Sequence, residues 1–228
     1  MKSGKGEVSA KIWRFLMFID VDCYEELYLK GKDRKTVIAE VEKMRSAIDL
    51  IKLKMESPLY AYDDRVRYPS ESLNIDICRK YLVAAIKYAE YEFGEADLLT
   101  EEEKAASYVE GLNSKITALN LTIGHYFENT YRLELSGERA RLVRHNRDGE
   151  ESEETADAAR AREVIENLHL GEWKSTYMPE NYGCNLSEPV KWQLRVEYCD
   201  GIAPRFFDGA GVFPYNFSLI AKLLGAEY

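Results

Sequence analysis

Asp20-Val21-Asp22, at the end of the apolar run that begins at Trp13, is the segment with the plainest chemical meaning. On a β-strand alternate residues share a face, so two carboxylates at this spacing would hold one divalent cation, as phosphoryl transfer needs. On a helix the same two side chains diverge by about 200° and share nothing. The surrounding periodicity favours the helix: Trp13, Leu16, Met17, Val21, Tyr24, Leu27 and Tyr28 recur at helical spacing, with Ser9 as cap and Gly31 as stop. That predicts a helix over 9–30 and no metal at Asp20 and Asp22. The three histidines, His125, His145 and His169, stand far apart, none spaced from a cysteine or serine as a nucleophile's base. Each reads as structural, with His169 in a helix's last turn. Cys23, Cys78, Cys184 and Cys199 form no C-x-x-C pair, which argues against zinc and against a disulfide scaffold. They read as reduced, buried small hydrophobes. No cofactor is implied, and Gly209-Ala210-Gly211 lacks phosphate-loop spacing and reads as a strand-to-helix turn.

The elements that position these residues follow from the apolar pattern. Val37, Ile38, Val41, Met44, Ile48, Ile51 and Met55 trace a helix from Lys32 to before Pro58; left exposed, this stripe would make a dimer seam. A loop with aromatic anchors covers 57–69. Ile75, Cys78, Leu82, Ala85, Ala89 and Phe93 form a second stripe, ended by Gly94. Thr100 and Glu103 make a capping box that opens a helix carried through Val109, Leu112, Ile116 and Leu119. The period then changes to two: Leu119, Leu121 and Ile123, then Tyr131, Leu133 and Leu135, then a turn at Ser136-Gly137-Glu138 into Ala140 and Leu142. Residues 146–157, crowded with acids, read as a solvated loop leading into a helix on Ala161, Val164, Ile165 and Leu168. Val190, Trp192, Leu194, Val196 and Tyr198 alternate into the turn Asp200-Gly201, a return strand ends at Phe207, and Phe217, Ile220, Ala221 and Leu224 close with a helix. The fold class is α+β: a helical half, 1–117, then antiparallel hairpins or a meander with two packed helices, 118–228, the halves sharing one core or not.

Across 228 residues, 31 Lys+Arg against 40 Asp+Glu give a net charge of −9. Such a balance works against tracking a phosphate backbone and favours a basic protein surface as partner. No apolar run reaches the length that spans a bilayer, and the first residues lack a signal-peptide core, so a cytoplasmic protein without membrane attachment is expected.

Two resemblances bear on function. The pattern Trp192-x-Leu194-x-Val196-x-Tyr198, Asp200-Gly201, Phe207-x-Gly209 and Phe213-Pro214-x-Asn216-Phe217 resembles an uncharacterised C-terminal domain of proteins from gut-associated Firmicutes. It departs from that domain at Ser187-Glu188-Pro189, where an Asp-Gly is usual, and implies a bacterial or mobile-element origin but no activity. Phe18 to Tyr24 resembles the metal-binding strand of polymerase palm domains and, less closely, of haloacid-dehalogenase phosphatases, without a glycine-rich phosphate loop or βαβ unit to accompany it.

Sixteen tyrosines are the remaining compositional signal. Tyr60, Tyr62, Tyr88 and Tyr91, with Asp63, Asp64 and Glu90 and the later run Glu150, Glu151, Glu153 and Glu154, mark an acidic, tyrosine-rich docking surface. The expectation is a non-catalytic regulatory protein that binds a basic partner protein, in its sharpest form an inhibitor of a nucleic-acid-binding enzyme of the anti-CRISPR or anti-restriction type. The alternative is a metal-dependent phosphoryl-transfer enzyme or nuclease on Asp20 and Asp22.

Overall fold

A computed structural model describes residues 19–62 and 69–227. The chain is α+β, and its described residues divide into two compact units, 19–51 with 69–98, and 52–62 with 99–227. Among the described residues no helix is long and apolar enough to cross a membrane.

The first unit is helical. Asp20 is extended (ψ 168°) and its Oδ1 accepts the Cys23 N–H at 2.7 Å, so the helix starts at Val21. The expected start at Ser9 lies outside the described residues, and a helix running unbroken through Asp20 is corrected by this cap. Helix α1, Val21–Tyr24, widens into a π-turn, Glu25–Leu29, and ends at Gly31 (φ +70°). Helix α2, Arg34–Glu56, begins behind Asp33, which accepts the Thr36 N–H; its last residues, from Lys52, belong to the second unit. Val37, Val41, Met44, Ile48 and Ile51 are buried, so the stripe is core and not an open dimer seam. Helix α3, Glu71–Phe93, is capped by Ser70 and closed by Gly94 in the left-handed region, the conformation a residue without a Cβ adopts at no steric cost. Ile75, Cys78, Tyr81, Ala85 and Ala89 are buried, and Tyr81 stacks on Tyr24 with ring centroids 4.1 Å apart.

The second unit is a seven-stranded, mostly antiparallel sheet with helices on one face, in the order β4-β3-β2-β1-β6-β7-β5. Helix α4, Glu101–Glu110, starts at the expected Thr100–Glu103 capping box but stops nine residues before Leu119. Ile116 and Leu119 suit either period; they fall in β1, Ile116–Gly124, because that central strand pairs with both β2, Asn129–Ser136, and β6, Lys191–Tyr198. Strand β3, Arg139–His145, pairs with an unexpected edge strand, β4, Glu151–Ala156. Its acids face arginines, Glu153 meeting Arg141 and Glu154 meeting Arg144 at 2.6 Å each, so the acidic run is half of a cross-strand ion-pair set. Strand β7, Arg205–Ala210, returns along β6, and β5, Thr176–Tyr177, adds a short parallel edge. Both expected hairpins therefore lie in one sheet. Leu121, Leu133, Leu142, Leu194 and Phe207 line its inner face with Trp192, under α5, Ala158–Asn167, and α6, Phe217–Leu224. Gly209 sits where a Cβ would lie 2.6 Å from Trp192 Nε1.

Candidate functional site

The residues singled out in the sequence are dispersed by the fold. Asp20 spends its carboxylate on the Cys23 N–H, and Asp22 stands in the first turn of α1. Tyr88 is half-buried, its hydroxyl accepting the Gly31 N–H at 3.2 Å, while Glu90 and Tyr91 are exposed on α3 in the first unit. Tyr60 and Tyr62 fall in the 3-10 turn Pro58–Tyr62 of the second unit, and Asp63 and Asp64 lie outside the described residues. Glu150 and Glu151 are exposed at the start of the edge strand that carries Glu153 and Glu154. The cysteines also divide: Cys78 is buried, Cys184 and Cys199 are partly covered, and Cys23 is exposed, contrary to the expectation that all four pack inside.

Within the first unit, α1 and α3 enclose an open groove of about 370 Å³. Val21, Val83 and Ala84 supply its apolar lining, and Arg79, Lys80, Lys87 and Glu25 its rim. Val83, Lys87 and Tyr91 lie at i, i+4 and i+8 on α3, so groove and tyrosine share one helix face. Val83 is 50% exposed and Tyr91 86%, large apolar surface that the unit itself leaves uncovered.

Within the second unit a cluster of polar contacts surrounds the segment 168–182, which carries no sequence motif. Helix α5 stops at Asn167, and His169 takes a left-handed conformation (φ 46°) that feeds the 3-10 turn Leu170–Glu172, placing it past the helix and not in its last turn. Here Glu110, at the end of α4, meets His169, Oε1 to Nδ1 3.3 Å, and the ligating atoms of Glu110, His169 and Glu172 lie within 4.8 Å of one another. Glu172 Oε2 also receives the Lys52 ammonium at 2.7 Å and the Tyr215 hydroxyl at 3.0 Å. Two residues on, Lys174 binds Glu56 at 2.7 Å, and the Tyr182 hydroxyl donates to the same carboxylate oxygen at 2.7 Å. Glu56 is 4% exposed. Burial works against the charged form of Lys174, but its bonds to Glu56 and Tyr182 outweigh that and raise its pKa. Burial, aided by the Glu56 charge, pushes the Tyr182 phenol up to about 12.

These geometries differ in chemical capacity. Glu56 and Lys174 neutralise each other, and with the Tyr182 hydroxyl they act as a clamp on the last turn of α2. Glu110, His169 and Glu172 combine an imidazole with two carboxylates, a donor set for a divalent cation. The groove offers apolar surface with a cationic rim and no nucleophile. None of the docking residues expected from the sequence lines the groove, although Tyr91 follows Lys87 by one turn on α3; 59 residues separate Glu110 from His169, so no local spacing signals that cluster. Compared with known proteins, the chain matches no family model, no curated protein and no solved structure.

Proposed function

We propose that this chain is a non-catalytic binding protein that receives an acidic, amphipathic helix of a partner protein in the groove between α1 and α3. The observation that supports this reading is the groove's composition: an apolar floor of Val21, Val83 and Ala84 inside a rim where Lys80 and Lys87 stand against Glu25, and where Arg79 is paired with Asp76 at 3.1 Å. An amphipathic helix lays its apolar side into such a floor and is selected by the charge of the rim. The partner's sign is thus opposite to the one that the net charge of −9 suggests, because a docking surface is set by its local charges. Exposed Tyr91 extends the contact by one turn beyond Lys87, as a rigid aromatic with little rotamer entropy to lose.

The test is selection from a displayed library of amphipathic helical peptides. Enrichment of acidic sequences is expected, with affinity lost about tenfold or more in Val83→Asp and weakened by salt and by Lys80→Glu with Lys87→Glu. Enrichment of basic sequences, or peptides that bind Val83→Asp as well as the parent, would sink the proposal.

A further inference from the structure

We infer that Glu110, His169 and Glu172 form a binding site for a divalent transition-metal ion of the zinc class, independent of the groove. An imidazole nitrogen and two carboxylates make a mixed N/O set suited to such ions and poorly suited to calcium, which takes six to eight oxygens. Ligands about 2.0 Å from a tetrahedral zinc stand about 3.3 Å apart, and His169 Nδ1 and Glu110 Oε1 are separated by 3.3 Å. Glu172 completes the set, its ligating atom lying within 4.8 Å of both others. Three protein ligands leave the fourth tetrahedral position to water.

Two further features suit the site. Tyr215 and Lys52 both bind Glu172 at Oε2, which orients the carboxylate as the second layer of a metal centre does. The scaffold is also tight. At Gly171, between the two ligands of the turn, a Cβ would lie 2.6 Å from Ala106 Cα, so the turn rests backbone to backbone on α4, the helix that carries Glu110. His169 meanwhile holds a left-handed conformation, uncommon outside glycine but one in which histidine, asparagine and aspartate are enriched. Two carboxylates beside one ammonium leave the cluster with a net negative charge, which a divalent ion reverses.

The probe is Zn²⁺ alone, added to the metal-free full chain and followed by calorimetry and thermal unfolding. One equivalent is expected to bind, raising the unfolding midpoint by several degrees at saturating metal. His169→Asn, which tolerates the left-handed backbone, and Glu110→Gln should each abolish that equivalent. His145→Asn, which alters an exposed histidine 3.7 Å from Glu151, should keep it. Co²⁺ in place of zinc should give the comparatively intense visible d–d bands of a tetrahedral N/O site. No binding at millimolar zinc, binding that survives both ligand variants, or a thiolate-to-cobalt band that moves the ion to a cysteine would each overturn the proposal.

Discussion

Asn216 offers the sharpest test of how the second unit holds its 168–182 segment. Its amide is 9% exposed, and its Nδ2 donates to the carbonyls of Asn167 and Leu168 at 3.1 and 2.6 Å. Those are carbonyls at the C-terminal end of α5, so a residue ahead of α6 caps a different helix. Its Oδ1 accepts the Trp173 indole N–H at 2.9 Å, while that N–H also reaches Leu168 O at 2.9 Å. Asn216→Ala removes three bonds, but the indole and Leu168 keep each other, so the loss is about 2–3 kcal/mol at roughly 1 kcal/mol per bond. That lowers the unfolding midpoint by about 5–10 °C. Asn216→Asp keeps the acceptor for Trp173 but turns a carboxylate oxygen toward two carbonyls, and a buried charge without a partner costs about 3–5 kcal/mol. Urea unfolding followed by tryptophan emission suits the unit, which holds Trp173 and Trp192. Asp is expected to be worse than Ala. The reverse order would mean that the two N–H donors are not what holds the α5 end, and the capping argument would fail.

Three other outcomes follow from the same structure. Gly209→Ala should cost about 1–3 kcal/mol, because its Cβ would meet Trp192 Nε1 at 2.6 Å and Tyr177 O at 2.8 Å and force the indole off its rotamer; unchanged urea unfolding would contradict that. Alkali should destabilise the chain above pH 10. Tyr182 ionises near 10 when unfolded but near 12 when folded, so its contribution is intact below pH 10 and lost as pH rises through 12, and Tyr182→Phe should flatten that part of the pH–stability curve. A thiol reagent at pH 8 should leave Cys78 unlabelled, since burial pushes that thiol up to about 11, and should label exposed Cys23 slowly, because the bond to Asp20 raises its pKa. Asp20→Asn keeps the helix cap and should speed the Cys23 reaction; an unchanged rate would dissociate the two residues.

What the sequence disclosed was local. The stripe of α3, the box at Thr100, and the alternation of β6 each rest on contacts within a few residues, and each appears where the pattern puts it. Ile116 reads as helical because its apolar spacing fits a helix until β1 gains β2 and β6 as neighbours, and Leu119, which fits both periods, belongs to the strand. The acids of β4 looked like a loop because the arginines that neutralise them, Arg141 and Arg144, belong to the neighbouring strand. The groove was not legible: its lining joins Val21 of α1 to Val83, Ala84 and the cations of α3, residues whose proximity depends on how the two helices pack. Nothing pointed to Glu110, His169 and Glu172, whose proximity depends on Gly171 letting a turn lie against α4.

The segment 168–182 shows how spacing rather than motif assembles such a cluster. Lys52 and Glu56 stand four residues apart on α2, about 6 Å along the axis. Glu172 and Lys174 stand two apart with Trp173 extended between them (φ −75°, ψ 134°), about 6.5 Å along the chain. The two spacings match, and the charges run in opposite order, so Lys52 meets Glu172 while Glu56 meets Lys174. Alternation in the extended stretch then turns Trp173 the other way, into the core, where its indole binds Leu168 and Asn216. One short stretch thus presents charge to the last turn of α2 and an aromatic anchor to the sheet. The orientation of Glu172 beside His169 is therefore fixed from both sides: by the ion pair with Lys52 and by the buried indole next to it in the chain.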